Sequence, residues 1–262
     1  MKKNIFLSLI LFVFCISSLA RAQDEWRQEK DTHVIVYYKN APYDFIKQLR
    51  DKTEVYYNEI ADNLGFRRYD FWLWEDRAKI YIYDNKEDYV SSTGQPEWSG
   101  GVSQPAAKTI KSFPYAQGFL ELTLPHEMGH IIFREFVGMD NRGVPIWLDE
   151  GVASYQQKIK FSQSGIFIKN AIAEGSFMGL KDLAGFQPRL WQVDADLKVK
   201  LFYMESFNIV DFLMTRFGRD NFVIFCQDLR DKKDLEKALS SAYPFSNLQE
   251  LEEAWKKHIN NG

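Results

Sequence analysis

The chain has 262 residues, of which 45% are hydrophobic and 16% aromatic, and its formal net charge is −3 at pH 7. This length and apolar content are sufficient for one compact domain with its own hydrophobic core. The mildly acidic balance, with no concentrated basic segment, argues against a nucleic-acid partner.

Residues 1–22 have the three parts of a bacterial secretory signal peptide. Two lysines open the segment, residues 5–14 are almost entirely apolar, and residues 20–22 read Ala-Arg-Ala, a small-x-small cleavage site. The apolar run is too short for a membrane span, and Cys15 does not follow the small residues that a lipoprotein signal needs. We therefore expect a cleaved signal peptide, a periplasmic or secreted product, and no stable membrane anchor after cleavage.

Residues 23–262 are predicted to form a single domain. Residues 1–22 contain three basic and no acidic residues, so 30 basic and 36 acidic residues remain, together with one cysteine, Cys226. A single cysteine excludes an intrachain disulfide, and its apolar neighbours predict a buried thiol. Stability is expected to come from the core and from bound metal. The sequence leaves the oligomeric state open.

The first half of this domain mixes strand and helix patterns. β-branched and aromatic residues predict a strand at 32–38, and apolar–polar alternation predicts another at 78–83. Helical spacing predicts a long helix at 43–64, ended by Gly65, and a short one around 86–90. The apolar stripe expected to face inward on the long helix consists of Phe45, Leu49, Val55, Tyr56, Ile60 and Leu64.

The glycine-led segment 99–113 predicts one or two short strands that lead to the next helix. If one of them lies at a sheet edge above the metal, its unpaired amides and carbonyls could bind an extended peptide by strand addition. A covered edge or a plain connecting loop is the alternative.

The next helix carries the pattern His-Glu-x-x-His at His126, Glu127 and His130. Residues four apart lie on one face of a helix, so the two imidazoles can converge on one ion while Glu127 projects beside them. This is the geometry of a catalytic zinc site. The helix is expected to begin near Thr123, whose hydroxyl can cap it, and to stop at Gly138.

A catalytic zinc usually has three protein ligands and an open position for water, so a third ligand is needed. Glu135 lies about 140° round the helix from the second histidine and points away from the ion. His33, at a strand start, is expected at the surface. The remaining candidates are the neighbours Asp149 and Glu150 on the following helix. We favour Glu150, because its longer side chain reaches across a helix pair and Gly151 lets that pair approach closely.

The rest of the chain is predicted to be nearly all helical, with residues 175–187 as a looser connection. Periodicity predicts helices at 166–173, 197–217, 220–229, 235–240 and 248–258. The fold class is therefore α+β, with a small mixed sheet and helices in residues 23–138 and a mostly helical lobe in residues 139–262. The metal helix lies at the joint between the two lobes.

The paired motif resembles the gluzincins, the zinc peptidases that include thermolysin and the zinc aminopeptidases. His126-Glu127-x-x-His130 is followed, after nineteen residues, by Glu150 in the segment Trp-Leu-Asp-Glu-Gly-Val-Ala-Ser-Tyr at 147–155. The closest likeness is to the peptidase MA-like domains of bacteria. The pattern departs from the metzincins, because positions 133 and 136 are phenylalanines, and it lacks the upstream Gly-x-Met-Glu-Asn signature of the exopeptidases.

This resemblance implies a thermolysin-like catalytic core, a Zn²⁺ cofactor held by His126, His130 and Glu150, and a peptide or protein substrate. Glu127 would act as general base on the zinc-bound water. In similar gluzincins a Tyr or His of the helical lobe stabilises the oxyanion, and the matching residue here is Tyr203 in a Tyr-x-x-Ser helix.

Two other features of the resemblance concern supporting residues. Tyr203 is alternatively an aromatic core residue on a helix rich in them. Tyr155 is expected to be structural. Ser154 stands where thermolysin-like enzymes have an Asp that supports a histidine, so the partner of that histidine is not assignable from sequence.

Two further classes of function fit the same sequence. One is a protein on this fold that binds a peptide or partner and cuts nothing. The other is a zinc amidase that hydrolyses a non-peptide amide. The intact general base Glu127 favours a hydrolase over the binding protein.

Overall fold

The computed structural model describes residues 26–66, 72–157, 161–187 and 197–261. The predicted signal peptide at 1–22 lies outside these residues. Among the described residues, no helix combines the length and apolar content that crossing a membrane would require.

The first layer of the fold is a mixed sheet of five strands: β1 (Arg27–Lys30), β2 (Val34–Tyr38), β3 (Ala78–Ile82), β4 (Gly101–Gln104) and β5 (Thr109–Ser112). Their order is β1-β2-β3-β5-β4, with β2, β3 and β5 parallel and an antiparallel strand at each edge. Val36 pairs with Ile80, which pairs with Ile110, and all three are fully buried. The strand predictions in this half are confirmed, and β4 is an edge strand. Strand β1 was not predicted, because its Arg-Gln-Glu-Lys has no apolar alternation.

The described residues contain ten α-helices: α1 (Tyr43–Leu64), α2 (Lys86–Thr93), α3 (Leu124–Val137), α4 (Ile146–Tyr155), α5 (Ser164–Glu174), α6 (Leu180–Gly185), α7 (Leu197–Phe217), α8 (Arg219–Lys232), α9 (Leu235–Ala242) and α10 (Leu248–Asn261). After residue 138 the described chain has helices and no strands, so the α+β class is confirmed. The expected loose connection at 175–187 contains α6, whose Leu180 and Leu183 are buried.

Helix α1 covers the sheet through a face that differs in part from the predicted stripe. Val55 is 52% exposed, whereas Thr53 and Tyr57 are buried. The residues four and eight positions after Leu49 share its face, which brings in Thr53 and Tyr57 and turns Val55 outward. The buried Thr53 hydroxyl donates to the Leu49 carbonyl at 2.7 Å, so the polar residue is satisfied within the helix.

Helix α3 begins differently from the prediction. A π-helical turn, Phe119–Thr123, leads directly into it, and Thr123 already has helical angles (φ −72°, ψ −45°). No side chain caps the helix, so the predicted role of the Thr123 hydroxyl is wrong: a residue inside a continuous helical path does not have the extended backbone of a cap. Gly138, with φ of 100°, ends the helix as predicted.

Helix α4 is packed tightly between α3 and α7. A Cβ added at Gly129 of α3 would lie 3.0 Å from the Cα of Ala153. A Cβ added at Gly151 would lie 2.4 Å from the carbonyl oxygen of Ser206 on α7. Gly151 therefore permits close approach of α4 to α7, and the expectation that it serves the α3–α4 pair is wrong; Gly129 serves that pair.

Candidate metal centre

Helices α3 and α4 run antiparallel, which determines which side chains face each other. At one end, Arg134 Nε donates to Asp149 at 2.8 Å, and at the other, Gln157 Nε2 donates to the carbonyl of Leu122. The middle turns of the two helices lie between these contacts. Those turns carry the three predicted metal ligands.

The structure brings His126, His130 and Glu150 together at one point. The two Nε2 atoms of the histidines are 3.2 Å apart, and each lies 3.5 Å from Glu150 Oε2. These three side chains form a group that could hold a metal ion. Two imidazoles and one carboxylate are a donor set typical of transition-metal sites, so the residues present fit a metal.

Asp149, the alternative third ligand, lies on the outer side of this group. Its Oδ1 is 3.1 Å from His130 Nδ1, the ring nitrogen that faces away from Glu150, and its Oδ2 accepts from Arg134. A carboxylate on the far nitrogen orients a histidine whose near nitrogen is free to bind a metal. Asp149 was considered as a ligand, and this supporting contact was not predicted.

The neighbouring charges favour the carboxylate forms of Asp149 and Glu150 and the imidazolium form of His130. Burial opposes ionisation of the Glu150 carboxyl, but His130 and His126 outweigh it and hold the pKa of that carboxyl well below its usual range. Burial likewise disfavours the imidazolium of His130, yet Asp149 and Glu150 raise the pKa of this ring well above its usual value. Burial would raise the pKa of Asp149, and the nearby His130 and Arg134 lower it. The protonated His130 and Arg134 balance the two carboxylates, and a metal ion that binds here would displace the His130 proton, because histidine ligates a metal as neutral imidazole.

Other predicted candidates are engaged elsewhere. Glu135 accepts from Trp72 Nε1 at 2.8 Å and pairs with Lys108, away from the histidines. His33 pairs with Glu54, with 2.6 Å between Nδ1 and Oε2, and its side chain is 15% exposed. His33 is therefore a partly exposed residue in contact with Glu54, and it does not belong to the group of possible metal ligands.

A cavity of about 510 Å³ opens beside the metal group and contains Glu127. One wall comes from the segment before and within β4, and the opposite wall comes from α7. The lining residues are Trp98, Ser99, Gly100, Gly101, Thr123, His126, Glu127, Ser154, Gln157, Phe161, Val199, Lys200, Tyr203 and Met204. The cavity therefore joins the metal group, the predicted general base and Tyr203.

The two predicted tyrosines differ in their surroundings. Tyr203 lines the cavity, and its ring lies edge-on to Phe202 with 5.3 Å between centroids. Tyr155 is 5% exposed and packs with Phe207 in the core, at 6.4 Å between centroids. Tyr203 therefore borders the cavity beside Glu127, whereas Tyr155 packs in the core.

Two features of the site were not predicted: one hydrogen bond, and two buried polar atoms without a hydrogen-bond partner. Ser103 on β4 donates a hydrogen bond to Glu127 Oε2. On the other side, His126 Nδ1 and Ser154 Oγ are both buried without a hydrogen-bond partner among the described residues. No sequence pattern links Ser103 to Glu127, because the contact joins residues 24 apart along the chain.

A mixed sheet followed by helices, with two histidines and a glutamate converging beside a cavity, is the arrangement of a metal-dependent hydrolase. The family model of the Peptidase MA superfamily matches residues 74–261, and the chain belongs to this superfamily. Membership suggests peptidase activity that depends on a metal. A search of curated proteins finds no match.

Proposed function

We propose that the protein is an exported zinc metallopeptidase of the gluzincin type. The observation that carries the proposal is the convergence of His126, His130 and Glu150, with 3.2 to 3.5 Å between their donor atoms. Ligands about 2.0–2.1 Å from a tetrahedral zinc lie about 3.3–3.4 Å apart, so these separations match zinc. The superfamily match supports the peptidase part of the proposal.

His126, His130 and Glu150 would hold the zinc, which when bound lowers the pKa of its water to about 7. Glu127 takes a proton from the attacking water and delivers it to the nitrogen of the leaving amine as the peptide C–N bond breaks. Tyr203 donates a hydrogen bond to the oxyanion that forms on the substrate carbonyl. Asp149 keeps the His130 ring oriented through Nδ1.

The surroundings of the cavity support a peptide substrate. β4 is the edge strand of the sheet and leads into the cavity wall, so an extended peptide could add to it as a further strand. The apolar side chains of Trp98, Phe161 and Val199 offer contact for a substrate side chain. The signal-like residues 1–22 support export to a periplasm or the medium, and the acidic composition gives no support for nucleic-acid binding.

The test is hydrolysis of a peptide library by zinc-loaded protein, with the metal content measured by mass spectrometry. Glu127→Gln, which keeps the side-chain shape, should lower kcat by about 100-fold or more. Tyr203→Phe should lower kcat by about 10²–10³-fold if its hydroxyl stabilises the oxyanion. Chelation should abolish the activity, and added zinc should restore it.

The same experiment separates the other classes of function. Equal behaviour of wild type and Glu127→Gln would rule out the hydrolase and leave a binding protein. Zinc content without peptide cleavage, but with release of products from cell-wall cross-links or acyl-amides, would select the non-peptide amidase.

A further inference from the structure

Strand β4 and helix α3 approach closely enough for side chains to bond across them. Successive residues of a strand point to opposite faces, so Gly101 and Ser103 lie on one face and Val102 and Gln104 on the other. A Cβ added at Gly101 would lie 3.0 Å from Thr123 Cγ2, at the start of α3. The face that carries Ser103 is therefore the face turned to the metal helix.

Ser103 uses this proximity to bind the predicted general base. Its hydroxyl donates a hydrogen bond to Oε2 of Glu127. Within the described part of the chain, this is the one side-chain hydrogen bond that the Glu127 carboxylate accepts. The Oε1 atom keeps its lone pairs for another donor.

Hydrogen bonds from neighbouring serines hold the start of the strand that carries Ser103. Ser99 Oγ donates to the Gly101 carbonyl at 3.0 Å and is 2.8 Å from the hydroxyl of Tyr89. Ser112 Oγ on β5 donates to the Gly100 carbonyl at 2.6 Å. Tyr89 and Ser112 are fully buried, so these contacts are anchored in the core. The position of Ser103 is therefore determined by the sheet.

We infer that Ser103 is a positioning residue for the general base. This inference rests on the proposed function. A glutamate side chain has three rotatable bonds, and a base displaced by about 1 Å loses about 100-fold in rate. By holding Oε2 against the braced strand, Ser103 fixes the plane of the carboxylate and leaves Oε1 for the attacking water.

The hydrogen bond is compatible with every proton transfer in the reaction. The water gives its proton to Glu127 Oε1 as its oxygen bonds to the substrate carbonyl carbon. Glu127 then passes that proton to the amine nitrogen as the C–N bond breaks. Oε2 accepts from Ser103 throughout, and Ser103 keeps its own proton, so it orients the base without exchanging anything with the substrate.

A matched pair of variants tests the role of the hydroxyl. Ser103→Thr and Ser103→Val have the same branched shape, which suits a strand, and differ in one hydroxyl against one methyl. Loss of a supporting contact of this kind typically costs about 10–100-fold, so kcat of Ser103→Val should fall by about that factor relative to Ser103→Thr. KM should change by less than about twofold, because uniform substrate binding is not affected.

Three controls separate positioning from structure. Zinc content and the midpoint of thermal unfolding should be the same in Ser103→Thr and Ser103→Val. Ser240→Ala, at an exposed serine of α9 away from the cavity, should keep wild-type kcat. Ser103→Ala, which is smaller than serine and introduces no clash, should show the same loss of kcat as Ser103→Val.

Equal kcat values for the threonine and valine variants would overturn the inference, and so would a loss confined to KM. If the wild type cleaves peptides and Glu127→Gln does not, such a result refutes the role of Ser103 alone. A wild type that cleaves nothing refutes the proposed function, and the inference falls with it.

Discussion

Glu205 on α7 should make the stability of the protein depend on pH. Its side chain is fully buried; Oε1 accepts from the Met178 amide at 3.0 Å, and Oε2 has no partner among the described residues. Burial is the main reason that the pKa of the Glu205 carboxyl is raised to about 8. The nearby carboxylate of Glu252 also raises this pKa, whereas the Met178 hydrogen bond and the Lys256 ammonium lower it. The native protein therefore keeps this proton where the unfolded chain has lost it.

The direction and size of the effect follow from proton linkage. In the unfolded chain the ordinary pKa is 4.5, about 3.5 below the native value of about 8. Between these values the native state binds more protons, so the free energy of unfolding falls as pH rises. Each pKa unit corresponds to about 1.4 kcal/mol, so the fall from about pH 5 to about pH 7.5 is about 3 kcal/mol. The stabilisation is complete below pH 4.5 and lost above about pH 8.

Glu205→Gln removes this titration, while its amide oxygen can still accept from Met178. Denaturant unfolding of wild type and variant at several pH values measures the difference in unfolding free energy. Between about pH 5 and about pH 7.5, the free energy of unfolding of the variant should rise by about 3 kcal/mol relative to that of the wild type. Glu253→Gln replaces an exposed glutamate of α10, and its free energy of unfolding should change with pH as that of the wild type does. If the difference in unfolding free energy between the wild type and Glu205→Gln stays constant with pH, the native pKa of Glu205 is not raised.

Four other outcomes are expected. Asp149→Asn should weaken zinc binding by about 10–100-fold in a chelator competition assay, because a ligand histidine loses its charged acceptor. Gly151→Ala should destabilise the protein by about 3 kcal/mol or more in denaturant unfolding, because the new Cβ would lie 2.4 Å from the Ser206 carbonyl oxygen. Gly165→Ala, where nothing lies within 4 Å, should instead stabilise by about 0.5–1 kcal/mol, and an equal effect at both glycines would contradict the packing argument. Cys226 is buried, and burial raises the pKa of its thiol, so a thiol reagent should modify it only after unfolding; rapid labelling of the native protein would contradict its burial.

The parts of the fold that sequence predicted well are those governed by local periodicity. The bounds of α1 and α7 agree with the predictions, because each has apolar residues at helical spacing and a glycine that ends it. The pairing of His126 with His130 is also local, since it needs only one turn of helix. Strand β1 was missed because its Arg-Gln-Glu-Lys carries no apolar residue, so no alternation marks it as a strand.

The contacts that sequence did not predict are those between elements distant in the chain. Ser103 meets Glu127 because a glycine on the same strand allows close approach to α3, and no spacing rule encodes that packing. Asp149 contacts His130 Nδ1 and Arg134, outside the group that could hold a metal, because the antiparallel register of the helices turns it outward. Gly151 was assigned to the wrong helix pair because its neighbour, Ser206, lies more than fifty residues downstream.

The glycine contacts on both sides of α4 bear on how this protein could be redesigned. Backbone atoms at Gly129 and Gly151, rather than interlocking side chains, determine the distances from α4 to α3 and to α7. Val199 and Met204 line the cavity from α7. Under the proposed function, substitutions at these two positions would reshape the cavity wall while the glycine contacts that hold α4 between α3 and α7 stay unchanged.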